Sequence, residues 1–304
     1  MNKIPVINII GTLLILASLY FVFYEFWSNR TLVLKWQPGT GDIILFLLCA
    51  LGYGLSQFLL SGAWSRLLLI SGQDKIDLKE CHKLYGQTQI AKYIPGNIFH
   101  YAGRYIIGKS MGFDKSVLIT STILEAICLL IVASALSLSG VLFFGLEQEN
   151  ISSIQLMVIL VLSVCFVFSL YIIAPRIIKL SNHNIKFDSF QNMFLRLKSV
   201  FLMQSVFFLF SGLALVLIVV NQTETVSLEV AGIIIVVSIA SWIIGFVTPG
   251  EPAGVGVRDA IIVFSLTQFF DSYLAVMAAL IYRMVTVVGD IVFYLVTRAL
   301  TLKD

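Results

Sequence analysis

Apolar residues fall along this chain in long unbroken runs rather than in the short periodic stripes of a soluble fold. A helix that crosses the hydrocarbon core of a bilayer needs about 20 consecutive apolar residues. Eight runs approach that length: Val6–Phe26, Asp42–Ile70, Val117–Phe144, Ile151–Ile173, Val200–Val220, Leu228–Thr248, Gly254–Phe270 and Tyr273–Thr297. The seventh is the shortest. The pattern predicts an all-α, polytopic integral membrane bundle of about eight transmembrane helices, forming one domain over 1–304. Between the second and third runs the pattern changes. Asp77 to Tyr93 is amphipathic and predicts an interfacial helix. Ile94 to Ile107 is too apolar for a solvated loop and too broken for a span, so it predicts a segment dipping into the membrane, where protein or a water-filled cavity must satisfy the backbone.

Composition agrees. Of 304 residues, 59% are hydrophobic and 12% charged, and mean hydropathy is +0.96; soluble chains carry about 45–50% and about 25%. No separate soluble domain fits, and no nucleic-acid partner is expected. The first run is longer than a signal-peptide core of about 7–15 residues and lacks a small-x-small cleavage site. Glu25, Trp27 and Arg30 follow it, as at an anchored helix end. Cys49, Cys81, Cys128 and Cys165 have no CxxC spacing, and they read as reduced packing residues without a metal or disulfide framework.

Net charge is only +3, but its distribution orients the chain. Lys and Arg crowd 73–115 and 176–198, whereas 147–150 and 221–227 hold acids alone. Positive loops stay inside, which predicts a multi-pass protein of the cytoplasmic (inner) membrane with both termini cytoplasmic. Arg30 and Lys35 are a misfit, in a loop bracketed by Trp27 and Trp36.

Two interruptions match. One runs Pro95-Gly96-Asn97-Ile98-Phe99-His100-Tyr101-Ala102-Gly103-Arg104. The other runs Pro249-Gly250-Glu251-Pro252-Ala253-Gly254-Val255-Gly256-Val257-Arg258. Each opens Pro-Gly and reaches an Arg nine positions after the Pro. Paired Pro-Gly breaks in two halves point to a cavity site in transporters. They suggest an internal two-fold repeat, with parallel halves 1–175 and 195–304. A Gly-rich turn opening a helix exposes unpaired N–H groups to an anion, and Arg258 beside such a turn suits phosphate. Two rival readings stand: Asp259 is a partner for Arg258, or the glycines serve close packing while Arg258 snorkels to headgroups.

Glu125, Arg283 and Asp290 lie within apparent spans, where a charge costs about 2.5–3.5 kcal/mol on insertion scales. Arg283 and Asp290 are about 10 Å apart along one helix, so each is expected to pair elsewhere, and Glu125 with Arg283 is the candidate pair. His100 is either a phosphate hydrogen-bonding group or a structural histidine. Tyr85, Tyr93, Tyr101 and Tyr105 read as interfacial aromatics. No HExxH, nucleophile–base or Walker-type spacing occurs.

The run Lys92 to Arg104 resembles the first signature of the flippase-like transmembrane domain of lysylphosphatidylglycerol synthases. The Pro-Gly to Gly-Val-Arg-Asp run ending at Arg258 and Asp259 resembles the second, and Glu125 and the Tyr282-Arg283 pair match family positions. The resemblance covers nearly the whole chain. It implies a lipid-translocating domain; free-standing relatives are linked to glycan and polyprenyl-phosphate pathways. The synthases add a soluble aminoacyltransferase domain, and this chain stops at Asp304, so that activity is not expected. The second motif departs from the family at Glu251-Pro252 and in having Asp259 for Glu, which admits a cationic or zwitterionic headgroup.

The expectation is therefore a lipid flippase rather than an enzyme, without cofactor or metal. Its substrate is an anionic phospholipid or a polyprenyl-phosphate-linked sugar. Its expected binding set is Pro95, Asn97, His100, Arg104, Glu125, Gly250, Glu251, Gly254, Gly256, Arg258, Asp259, Tyr282 and Arg283. The alternatives are an accessory subunit beside a membrane glycosyltransferase and a membrane-embedded lipid-phosphate enzyme using Glu251, Asp259 and His100.

Overall fold

A computed structural model describes residues 37–73, 75–94, 98–145, 190–223, 225–248 and 256–300, with a few positions between 23 and 31. All regular structure among these residues is helical. Helix α1 spans Thr40–Ile70 and α2 spans Leu78–Gln89, running into a 3-10 turn over Ile90–Tyr93. Helix α3 spans Phe99–Ser110, and α4 spans Lys115–Gly140 and closes in a π-turn over Val141–Gly145. Then come α5 (Phe190–Val220), α6 (Leu228–Val247), α7 (Val257–Leu266) and α8 (Ser272–Ala299).

Local chemistry marks the helix starts. An N-terminal turn leaves N–H groups unpaired, and short polar side chains take them. Asp77 accepts from Lys79 N–H at 2.8 Å, Asp114 from Ser116 N–H at 2.7 Å, and Asp271 from Leu274 N–H at 2.8 Å. Ser227 does the same for Val230 N–H at 3.3 Å. Between α3 and α4 the chain turns through Gly112 at φ 92°, a conformation L side chains resist.

Among the described residues five helices are long and apolar enough to cross a membrane: Thr40–Ile70, Lys115–Phe144, Asn192–Val220, Leu228–Val247 and Ser272–Ala299. They are the second, third, fifth, sixth and eighth runs of the sequence. The first and fourth runs, and Cys165, lie outside the described residues. The seventh run is not a span. Its helix α7 has 10 residues, about 15 Å at 1.5 Å per residue, against a hydrocarbon core of about 30 Å. Gly256, at the N-cap, and Phe269–Phe270, past the end of the helix, lengthen the apolar count of that run without extending the helix. The expected interfacial helix also differs in its setting. Helix α2 packs against α1, α3 and α8, with Cys81, Leu84 and Tyr85 buried.

Helix α1 is the hub, packing on α5 and α8 and also touching α2 and α4. Its outer face stays apolar, with Leu48, Leu51 and Leu55 exposed, as expected of a helix facing lipid. Its inner face is built for close approach. A Cβ on Gly54 would lie 2.7 Å from the Gly289 carbonyl oxygen of α8, and one on Gly289 would lie 2.8 Å from the Ala50 carbonyl oxygen. The two backbones touch there, as small residues permit in membrane bundles. Cys49, Cys81 and Cys128 are buried free thiols; apolar runs surround Cys49 and Cys128, whereas Cys81 is buried from within a charged stretch.

Gly289→Val is therefore expected to cost about 1–3 kcal/mol through overpacking. Gly41→Ala, which meets open space, is expected to be neutral. Thermal unfolding in detergent checks this: equal melting temperatures for the two variants would remove the α1–α8 contact as a determinant of stability.

Candidate functional site

Seven helices and the 3-10 turn converge on a partly open cavity of about 90 Å³. Its polar lining includes Gln57 of α1, Tyr85 and Gln89 of α2, Lys92 of the turn, His100 and Arg104 of α3, Glu125 of α4 and Arg258 of α7. Apolar walls come from Leu60, Leu129, Phe207, Trp242 and Phe246. Three polar clusters hold the lining.

The first cluster is centred on Glu125, which is 1% exposed. Arg104, as deeply buried, donates from Nη1 to Oε2. Tyr85 donates from its hydroxyl to Oε1 at 2.8 Å. The Arg104 guanidinium also lies 4.0 Å from the Tyr85 ring centre and 5.2 Å from that of Trp64. A buried charge is tolerable when paired and hydrogen-bonded, and here both carboxylate oxygens are used. Arg104 Nε alone has no partner. The expected Glu125–Arg283 pair is thus corrected. Helix α3 packs on both α2 and α4 and delivers Arg104 to Glu125 first. Arg283 instead lies on α8, within electrostatic reach of Tyr53, Lys92 and Tyr93.

The second cluster is centred on Asp290 of α8. Lys92 Nζ lies 2.9 Å from Oδ1 and 2.8 Å from Oδ2. Tyr93 donates its hydroxyl to Oδ2 at 2.6 Å, and Gln57 donates from Nε2 to Oδ1 at 2.8 Å. The segment leading into Pro95-Gly96 is thereby tied to α8 and α1. Tyr85 and Tyr93, expected at the interface, serve inside the bundle as carboxylate donors.

The third cluster is centred on the Tyr282 hydroxyl. Arg258 donates to it from Nη2 at 2.9 Å, while Ser211 Oγ and Ser238 Oγ lie at 2.6 and 2.8 Å. Arg258 is buried, and its Nε has no partner. Asp259 does not take up Arg258 by hydrogen bond. Its carboxylate turns back to the Gly256 N–H at 3.2 Å and caps α7, and Gly256 sits at φ 100°, where a side chain would be strained.

His100 completes the lining. It is buried against the Tyr101 ring, and its Nδ1 has no partner. Burial first, then the cations Arg104 and Lys92, hold its imidazole well below the ordinary range, so the ring is neutral. Of the expected set, His100, Arg104, Glu125 and Arg258 line the cavity, Tyr282 anchors Arg258, and Gly256 and Asp259 form the start of α7. Pro95, Asn97, Gly250, Glu251 and Gly254 lie outside the described residues. Sequence reasoning missed Gln57, Ser211 and Ser238, whose available signal was a polar residue in an apolar run, and gave Lys92 no role beyond opening the first signature. Among the described residues no cluster of His, Cys, Asp or Glu could hold a metal ion.

Two stretches share one layout. A short helix, α3 or α7, packs between the helix before it and the Asp-capped long helix after it. In the first, Arg104 meets Glu125, eleven residues after the cap Asp114. In the second, Arg258 meets Tyr282, eleven residues after the cap Asp271. The preceding helix adds a hydroxyl in each, from Tyr85 and Ser238.

Long apolar helices around buried, paired charges define a polytopic α-helical membrane protein. The chain belongs to the family described as the lysylphosphatidylglycerol synthase TM region, whose model matches residues 8–293. That membership places it among membrane proteins of lipid metabolism. A search of curated proteins finds no match.

Two outcomes check the clusters. Glu125→Leu and Arg104→Leu are each expected to cost about 3–5 kcal/mol, because each strands a buried charge. The double variant should recover part of that loss in thermal unfolding; additive losses would deny the pairing. Asp290→Asn should lower amide-exchange protection over residues 90–94 by about tenfold, and unchanged protection would mean that Lys92 and Tyr93 do not hold this segment.

Proposed function

We propose that this domain is a flippase that moves a phospholipid or polyprenyl-phosphate-linked headgroup across the cytoplasmic membrane, with both termini on the cytoplasmic side. The observation that carries the reading is a partly open cavity lined by charged side chains within an apolar bundle. Three cations, Lys92, Arg104 and Arg258, line it, and nitrogen atoms of His100, Arg104 and Arg258 are buried without partners. A headgroup would replace lost hydration there while its tails stay in lipid, so the polar part crosses at lower cost.

The matched layouts of α2–α3–α4 and α6–α7–α8 support an internal repeat, the arrangement in which transporters place a site between two halves that move relative to each other. The chain carries no Walker-type loop, so on this reading movement is passive or driven by an ion or lipid gradient. The reading is also non-enzymatic. Asp259 serves as a helix cap and Glu125 is engaged through both oxygens, which leaves little for an acid–base pair at the cavity.

A proteoliposome assay with a fluorescent phospholipid tests this. Purified protein should accelerate exchange between leaflets over empty vesicles, and Arg258→Gln should lower the rate by about tenfold, the worth of one charge-assisted hydrogen bond. Wild-type exchange no faster than that of empty vesicles would overturn the flippase reading, and exchange unchanged in Arg258→Gln would remove Arg258 from it. Co-purification with a glycosyltransferase in the absence of any exchange would replace it with an accessory role.

A further inference from the structure

The Lys92–Asp290 pair sits at the cavity wall. Lys92 and Gln57 line the cavity, and Asp290 stands behind them, bonded to both. The Lys92 side chain is 16% exposed and that of Asp290 0%, so anything that reaches the carboxylate from water passes Lys92. An acid placed this way inside a membrane-spanning helix is costly, and such acids recur in proton relays.

The contacts of Asp290 suit two protonation states. Ionised, it accepts from Lys92, Tyr93 and Gln57. Protonated on Oδ1, it becomes a donor and needs an acceptor. Gln57 holds one in reserve: its Oε1 is buried without a partner, on the same amide whose Nε2 lies 2.8 Å from Oδ1. A half-turn of that amide exchanges donor for acceptor, while Tyr93 keeps Oδ2. A permanently ionised Asp290 has no use for this acceptor.

The surroundings favour proton release by Lys92. Helix α1 brings Tyr53, α7 brings Arg258, and α8 brings Tyr282 and Arg283, all within electrostatic reach of one another and of the pair. Asp259 of α7 is turned back on Gly256. Helix α2 brings His82, hydrogen-bonded to Ser61 at 2.6 Å, and Tyr85, held on Glu125; α5 brings Ser211 to Tyr282. Burial holds the Lys92 ammonium below its usual range against the pull of Asp290, and Arg258 and Arg283 act in the same direction as burial.

We infer that Asp290 is a proton-binding site loaded through Lys92, and that the proton is the ion whose gradient drives the transport proposed above. The inference rests on the flippase reading and deepens it by naming the driving ion. In loading, an N–H bond of Lys92 Nζ breaks and an O–H bond forms at Asp290 Oδ1. Neutral Lys92 then takes a proton from water at its exposed side. The net change is one proton gained: Asp290 is neutral and Lys92 is again a cation. Its charge is then free for an anion in the cavity, and the turn Ile90–Tyr93 loses its ionic tie to α8. Proton and anion favour each other's binding by the same factor, so they cross together.

The full chain in phosphatidylcholine vesicles containing fluorescent phosphatidylglycerol tests this under an imposed gradient of one pH unit. With one proton per headgroup, the probe is expected to accumulate about tenfold in the leaflet on the alkaline side, measured against empty vesicles under the same gradient. Asp290→Asn should abolish the asymmetry, and Asp290→Glu, which keeps a titrating carboxyl, should retain it. Infrared difference spectra on acidification should show a protonated-carboxyl band in the wild type that Asp290→Asn lacks.

Exchange above that of empty vesicles but without asymmetry would overturn the proton coupling and leave the flippase reading standing. Asymmetry unchanged in Asp290→Asn, or a carboxyl band that survives in it, would overturn Asp290 as the proton site. Asymmetry lost in Asp290→Glu as well would reduce Asp290 to a structural counter-ion of Lys92. No exchange above that of empty vesicles would overturn both readings.

Discussion

Everything in this bundle is arranged around the cost of holding charge where water is scarce. Glu125 shows the solution most fully. One oxygen takes Arg104, the other takes the Tyr85 hydroxyl, and aromatic rings cover the guanidinium. That single set of contacts joins α2, α3 and α4, so a short helix that could not hold its own place in lipid is fixed by the group it neutralises. Asp290 does the same for the segment before Pro95, drawing Lys92, Tyr93 and Gln57 from two elements. Such pairs need not add net stability over an apolar core. What they impose is position, because no other placement leaves the charges satisfied.

Much of the fold was legible in the sequence. The length of an apolar run is a direct physical measure of what it can cross, and five of the eight runs correspond to long helices. The failure at Gly254–Phe270 has a plain cause. Hydropathy counts residues and is blind to backbone, so glycines before α7 and a turn after it were counted as span.

Pairing was much less legible. Glu125 and Asp290 announced themselves as charges in apolar surroundings, but nothing in linear order says which cation arrives. Lys92 and Tyr93 lie 198 and 197 positions from Asp290. Arg104 was read as a ligand contact from its motif, yet its nearest obligation is to Glu125. Tyr85 and Tyr93 were assigned to the interface by residue type, which records an average preference and not the partner that a particular hydroxyl finds. Ser211 and Ser238 gave only the faint signal of a small polar residue in an apolar helix.

The backbone contact between Gly54 and Gly289 has a mechanical corollary. Helices α1 and α8 approach main chain to main chain there, flanked by Tyr53 and Val292, and core packing resists gradual deformation. They therefore behave as one stiff spine, and the residues mounted on it, Gln57, Tyr282 and Asp290, keep fixed distances from one another. The pieces left to accommodate any breathing of the cavity are the turn at Lys92 and the short helices α3 and α7, each of which brings an arginine or lysine to its lining.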